Sequence, residues 1–107
     1  MEENVKQAAT LEDKINEINH LDEITLHDTI ELMESSDYRA RFVAEYMQTK
    51  IRYNNLHKMC VKYEAGTLNF EPKCSILVLN NQKSFMGNYL KQLEIRAEIE
   101  GIKLPNM

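Results

Sequence analysis

The sequence predicts an all-α protein: an antiparallel helical hairpin of two long helices with a short N-terminal helical arm. Two stretches, residues 36–66 and 75–100, each carry apolar side chains at alternating spacings of three and four, which is typical of helices packed lengthwise. The connection between them contains Pro72, which excludes one continuous helix. The chain therefore divides into an acidic arm with short helices, residues 1–35, and a helical hairpin, residues 36–107.

The arm is predicted to contain two short helices. Thr10 can cap the first, which ends at residues 19–20. A second short helix lies within residues 21–33 and begins at Thr25 or Asp28, so that it covers part of the long helix. The first helix places three apolar residues on one face: Leu11, Ile15 and Ile18.

The first long helix is predicted to begin at a Ser36 cap and to end at Gly66. Its first apolar face consists of Phe42, Tyr46, Thr49, Tyr53, Leu56, Cys60 and Tyr63. Its second apolar face consists of Ala40, Val43, Met47, Ile51 and Val61. Two apolar faces require two sets of neighbours, and an intramolecular hairpin fully uses one of them. We therefore expect a homo-oligomer, at least a dimer.

The second long helix is predicted to begin at Ser75 or Ile76 and to end before Gly101. Gly87 lies inside this helix, where glycine costs about 1 kcal/mol relative to alanine, so we expect another backbone to come close there. Its apolar face consists of Leu79, Gln82, Met86, Tyr89 and Leu93, widened by Phe85, Leu90 and Ala97.

The net charge of −4 conceals a division along the chain. Residues 1–37 hold eleven acids and two lysines, whereas residues 38–107 hold six acids and eleven Lys or Arg. Either the acidic segment folds back on the basic hairpin, or the two present separate binding surfaces. The overall negative charge argues against direct nucleic-acid binding. The chain has neither an apolar run near 18 residues nor a signal peptide, so no membrane association is expected and the protein is expected to be soluble and intracellular.

No catalytic or metal motif is recognisable. His57, Cys60 and Cys74 could converge on Zn²⁺, but a fourth ligand is missing and free thiols are expected instead. The sequence contains no phosphate-binding loop, dinucleotide fingerprint or nucleophile elbow. We therefore predict no metal, no cofactor and no enzymatic activity.

Basic and tyrosine residues recur along the first long helix. Arginine and lysine bind phosphate and tyrosine stacks on bases, so this surface is a candidate nucleotide site once a second subunit supplies the other wall. The alternative is that the tyrosines belong to the hairpin core and the basic residues are solvated. The favoured ligand-binding residues are Arg39, Tyr46, Lys50, Arg52 and Tyr53.

Residues 29–104 resemble, in order and spacing, a family of small proteins of temperate and crAss-like phages. The resemblance is carried by Asp37-Tyr38-Arg39-Ala40-Arg41-Phe42, Glu45-Tyr46, Lys50-Ile51-Arg52-Tyr53 with Leu56, Cys74, Met86, Tyr89-Leu90, Leu93-Glu94-Ile95-Arg96-Ala97 and Glu100-Gly101-Ile102. Members commonly have proline where this chain has Ser75. The hairpin is also similar to that of phage anti-CBASS and anti-Thoeris sponge proteins, oligomers that sequester nucleotide immune signals. In those proteins a lysine and a tyrosine near the subunit junction hold the ligand, and residues 50–56 offer similar residue types.

The resemblance implies a phage anti-defence protein of the host cytoplasm that sequesters a nucleotide-derived signal without catalysis. The alternative is an inhibitor directed at a host defence protein, such as a CRISPR nuclease, in which acidic side chains of the arm imitate nucleic-acid charge. These acids are Glu12, Asp13, Glu17, Asp22, Glu23, Asp28, Glu31 and Glu34.

Overall fold

The computed structural model describes residues 10–107, and every regular element in that range is helical, which confirms the all-α prediction. In chain order, the elements are α1 (Leu11–Asn19), a 3-10 turn (Leu26–Thr29), α2 (Ile30–Met33), α3 (Tyr38–Ala65) and α4 (Ile76–Glu100). No helix within residues 10–107 combines the length and apolar character needed to cross a membrane.

The arm begins as its sequence predicts. The Thr10 hydroxyl accepts a hydrogen bond from the Asp13 backbone N–H at 3.1 Å, and the Asp13 carboxylate accepts one from Thr10 N–H at 3.2 Å. Thr25, the first of the two predicted starting points, precedes the 3-10 turn, and its backbone N–H and its hydroxyl both donate to the Asp28 carboxylate, at 2.8 Å and 3.2 Å. Both arrangements satisfy backbone donors that would otherwise lack partners at a helix start.

The predicted cap of the first long helix is wrong by one residue. Asp37, not Ser36, occupies the cap position of α3, because its carboxylate accepts a hydrogen bond from the Arg39 backbone N–H at 3.0 Å. α3 ends as predicted at Gly66, whose φ of 77° is the left-handed conformation that glycine adopts without a steric penalty. α4 is capped by Ser75, in agreement with the prediction.

Pairs of side chains and backbone positions show that α3 and α4 are antiparallel. Moving forward along α3 and back along α4, the Tyr38 hydroxyl donates to Glu100, the Arg96 guanidinium lies 4.6 Å from the centre of the Phe42 ring, and the Tyr46 hydroxyl donates to Glu94. The same register continues towards the turn, where Tyr53 contacts Gly87 and His57 contacts Lys83. The two long helices therefore form the predicted hairpin.

The hydrophobic core lies at the end of the hairpin where the arm packs. Ile15, Ile18 and Leu32 of the arm are buried together with Val43 and Met47 on the second apolar face of α3. The prediction that α3 has two sets of neighbours is thus confirmed for its first half. However, the second neighbour is the chain's own arm. A dimer was expected because the second apolar face of α3 needed a neighbour, and the arm now provides that neighbour.

Towards the turn the hairpin is thin and much of the predicted apolar face is open. Leu56 is half-buried, whereas Tyr63 and Val61 are exposed. On α4 the buried side chains are Leu90, Leu93 and Ala97. The expectation that Gln82, Tyr89 and Phe85 also belong to the packed face is wrong, since all three are exposed.

Gly87 does allow a close approach, but by a ring and not by another backbone. A Cβ atom built on Gly87 would lie 3.3 Å from Cε1 of Tyr53. The absence of a side chain at Gly87 therefore leaves room for the tyrosine of α3.

Candidate ligand-binding groove

The five residues predicted to bind a ligand do not form one site. Arg39 lies at the start of α3 and donates to the Asp37 carboxylate at 2.9 Å, and this contact lowers the pKa of Asp37. Tyr46 is buried, and its hydroxyl donates to Glu94 at 2.8 Å. Burial, together with this hydrogen bond, raises the pKa of Tyr46 well above its ordinary value. Arg39 and Tyr46 therefore have partners within the chain.

Lys50 and Tyr53 lie one helical turn apart on the side of α3 that faces α4. Tyr53 is half-buried, and its ring is parallel to that of His57 with the centroids 6.2 Å apart. His57 Nδ1 in turn lies 3.1 Å from Lys83 Nζ. Arg52 is exposed and lies about 200° around the helix from Lys50, so the two do not share a face.

The possible zinc ligands do not converge. Within residues 10–107 no group of three or more His, Cys, Asp or Glu side chains is arranged to hold a metal ion. Cys60 is buried, whereas Cys74 is exposed after the turn.

A groove lies along the polar side of α3, where sequence reasoning had not assigned a site. Its wider part, about 660 Å³, lies between α3 and the loop that connects α1 to the 3-10 turn. Its narrower part, about 300 Å³, lies between α3 and the loop that follows it. Both parts have Asn55 and Lys58 in their linings, so they adjoin along α3. We call these two adjoining depressions the α3 groove.

The α3 groove differs in charge between its two ends. The wider end carries two acids, Asp22 and Glu23, together with the amides of Asn19, Asn54 and Asn106. The narrower end contains no acid among its lining residues but has Lys62 and the exposed ring of Phe70, and Lys58 lines both parts where they adjoin. Ammonium groups bind phosphate, amides and carboxylates bind hydroxyl and base edges, and an aromatic ring can stack on a base. The groove thus presents cationic and aromatic groups towards one end and hydrogen-bonding amides and carboxylates towards the other.

The sequence indicated some of the residues that line this groove. Asn54 and Asn55 belong to the segment of residues 50–56 that the sponge-protein resemblance singled out, and Lys58 belongs to the basic surface of α3. Lys50 and Tyr53 were chosen within that segment by residue type, and residue type does not show on which side of α3 a residue lies. The walls contributed by residues 21–27 and by Asn106 had no sequence signal, because only the folding of the arm and the tail onto α3 brings them there.

Within residues 10–107 the arm packs on the hairpin through apolar side chains, and no ion pair joins the two. Within residues 10–107, the ion pair of the arm itself joins Lys14 to Glu31 at 2.7 Å. A depression of about 470 Å³ in the arm has Glu17, Asp28 and Glu34 in its lining. Within residues 10–35, the exposed acids are Glu12, Asp13, Glu17, Asp22, Glu23, Glu31 and Glu34.

The fold and the groove define a small all-α protein that carries a ligand-sized surface groove on a helical hairpin. The model of the Sequestin family matches residues 36–99. The match spans more than half of the chain, so the chain belongs to the Sequestin family. The family's name suggests sequestration of a ligand, in agreement with the sequence-based expectation. No curated protein and no solved structure matches the chain.

The matched region contains α3 and nearly all of α4. It therefore includes one side of the α3 groove, with Asn54, Asn55, Lys58 and Phe70, but not the wall formed by the arm.

Proposed function

We propose that this protein is a phage anti-defence protein that sequesters a nucleotide-derived immune signal in the α3 groove, in the host cytoplasm and without catalysis. The observation that carries the proposal is the division of the groove into a cationic, aromatic end and an amide-rich end with acids. Membership of the Sequestin family supports the sequestration step. The similarity of the hairpin to phage sponge proteins supports the nature of the ligand.

The charge layout supports one orientation of such a ligand. The phosphates would lie at Lys58 and Lys62, where they gain charge-assisted hydrogen bonds. A base can stack on the exposed Phe70 ring beside these lysines. Ribose hydroxyls or a second base would lie towards Asp22 and Glu23, since carboxylates accept hydrogen bonds from such groups and repel phosphate. Sequestration requires only tight stoichiometric binding and no catalytic group.

The test is calorimetric titration of the full chain with a panel of cyclic oligonucleotides and ADP-ribose derivatives. We expect one class of nucleotide to bind, and mass spectrometry of the denatured complex to recover it unchanged. The double variant Lys58→Glu, Lys62→Glu should lose this binding, because phosphate would then meet like charge. Lys91→Glu, an exposed change of the same sign on α4, should bind as the wild type does.

A second double variant, Lys50→Glu with Arg52→Glu, tests the site predicted from sequence. If this variant loses the ligand while the groove variant retains it, the ligand-binding site is not the α3 groove. If no nucleotide of the panel binds, or if the recovered nucleotide is chemically changed, sequestration of a nucleotide without catalysis is the wrong function.

The exposed acids of the arm favour a second candidate function, inhibition of a host defence protein such as a CRISPR nuclease. The arm depression lined by Glu17, Asp28 and Glu34 could receive a basic side chain of such a partner. In a phage-restriction assay, changing Glu12, Glu17 and Glu34 to Gln should abolish protection if this candidate is right. These three acids lie outside the α3 groove, so the same variant should remain active if the protein sequesters a nucleotide.

A further inference from the structure

Residues 102–107, which we call the tail, have no regular secondary structure but are closely packed. The left-handed conformation of Gly101, with a φ of 69°, ends α4 and redirects the chain into the tail. Ile102 and Pro105 are buried, and Leu104 packs against the hydrophobic core. An irregular segment with two buried residues in such a short length is held in a defined position and does not simply trail into solvent.

Two hydrogen bonds join the tail to one side of α1. Lys103 Nζ donates to Oδ1 of Asn16 at 3.2 Å, and the Asn106 backbone N–H donates to Oδ1 of Asn19 at 2.7 Å. The two asparagines are three residues apart, so they are neighbours on the surface of α1. Beyond Ile102, the tail makes no hydrogen bond between backbone groups within residues 10–107. The tail is therefore attached by side chains, and it can open without unfolding of either long helix.

The tail meets one wall of the α3 groove. We call residues 19–25 the arm wall, since nearly all of them line the wider part of the groove, and Asn106 and Met107 line the same part. The arm packs on α3 through the 3-10 turn and α2, which follow the arm wall in the chain. The tail, by contrast, bonds to Asn19, the first residue of the arm wall, where the chain leaves α1. The tail is thus a second attachment of the arm wall, at its other end.

We propose that the tail is a strap that positions the arm wall, so that the wider part of the α3 groove is complete only while the tail lies on α1. Lys103 and Asn106 are positioning residues, which act on the arm wall through Asn16 and Asn19. The proposal rests on the proposed function only in taking the α3 groove as the ligand site. A ligand that contacts both α3 and the arm wall binds the closed arrangement alone, so it also holds the tail in place.

Amide hydrogen exchange of the full chain, followed for single residues by NMR, tests the strap without any ligand. The Asn106 amide reports on the tail, because it donates to Asn19. The Leu21 amide reports on the arm wall, because it donates to the Ile18 carbonyl at 3.0 Å. The reference is the Leu79 amide, which donates within the first turn of α4 at 3.2 Å and lies outside the lining of the α3 groove.

The strap variant, Lys103→Met with Leu104→Ser, removes one hydrogen bond and one apolar contact of the tail, and neither residue lines the α3 groove. Exchange should become roughly 10-fold faster at the tail amide and at the arm-wall amide, and stay unchanged at the reference amide. Asn16→Ala removes only the acceptor of Lys103, so it should accelerate the same two amides by a smaller factor. Lys91→Met, the loss of an exposed lysine on α4, is the matched control and should change none of the three. A tail amide that accelerates alone, or a wild-type tail amide without protection, would overturn the proposal.

The reciprocal measurement adds ADP-ribose or cyclic di-AMP to the wild type as a probe. At a probe concentration of about 100 times its dissociation constant, exchange at the tail and arm-wall amides should slow by about 100-fold, because only the closed arrangement binds. A probe that binds by calorimetry without slowing these two amides would overturn the strap proposal and leave sequestration in place. If neither probe binds, the proposed nucleotide ligand loses support, and the exchange rates of the strap variant still decide whether the tail positions the arm wall.

Discussion

The contact between Tyr53 and Gly87 allows a quantitative test of how the two long helices pack. Gly87→Ala should gain about 1 kcal/mol of helix stability, since glycine in a helix interior is less favourable than alanine by that amount. The added Cβ atom, however, would lie 3.3 Å from Cε1 and 3.7 Å from the hydroxyl of Tyr53. The ring must then move by a few tenths of an ångström, and crowding of this kind costs about 1 kcal/mol. We therefore expect the free energy of unfolding to change by less than about 0.5 kcal/mol.

The same substitution in a Tyr53→Ala background should show the gain that the ring conceals. Without the ring, Gly87→Ala should raise the free energy of unfolding by about 1 kcal/mol. Urea unfolding followed by circular dichroism, at one fixed protein concentration, measures both effects and their difference. Gly101→Ala is a useful contrast, because the φ of 69° at Gly101 should make alanine destabilising in either background. Equal effects of Gly87→Ala in the two backgrounds would refute the packing of Tyr53 over Gly87.

Three further predictions concern stability. Phe42→Ala should lower the free energy of unfolding by about 3–5 kcal/mol because Phe42 is buried, whereas Leu56→Ala should lower it clearly less because Leu56 is half-buried. If urea unfolding showed the larger loss for Leu56→Ala, the position of the core described above would be wrong. Tyr46→Phe should lower the free energy of unfolding by about 1 kcal/mol through loss of the hydrogen bond to Glu94. Because the pKa of Tyr46 is raised in the folded protein, its contribution to the free energy of unfolding is present below the ordinary value of 10.0 and is lost as pH rises above that value. Tyr46→Phe should therefore lose less stability at alkaline pH than the wild type does. Because hydrogen bonds from Arg39 lower the pKa of Asp37, the contribution of Asp37 to stability is present above the ordinary value of 3.8 and is lost as pH falls through the pKa in the folded protein. The melting temperature of Asp37→Asn should therefore depend less on pH in the acid range than that of the wild type. An acid pH dependence equal to that of the wild type would contradict this.

The sequence predicted the helices well because their signals are local. The caps at Thr10 and Ser75 and the stop at Gly66 each depend on residues within one turn, so pattern and chemistry agree there. The cap of α3 is Asp37 and not Ser36. Both side chains can cap a helix, so local chemistry indicated a cap in this segment but did not distinguish between the two neighbouring residues. Periodicity, by contrast, does not show how far along a helix its neighbour extends. That is why Tyr63 is exposed although it continues the apolar rhythm.

The candidate site was harder to predict because its walls come from distant parts of the chain. Tyr46 fits a nucleotide site by residue type, but its hydroxyl pairs with Glu94, 48 residues away. Asn55 and Lys58 become groove residues only when the loop before the 3-10 turn and the loop after α3 lie opposite them. The spacing of side chains along one helix contains no information about such partners.

The attachment of the tail to α1 has a consequence for the order of folding. Lys103 donates to Asn16 and the Asn106 backbone N–H donates to Asn19, so these two bonds each join residues 87 positions apart. The α3–α4 hairpin closes through a short connection, and contacts of short sequence separation form at the lowest entropic cost. We therefore expect the hairpin to become helical before the arm and the tail meet. Since both supply the wall of the α3 groove, refolding protein should recover its helical signal earlier than its capacity to hold a ligand.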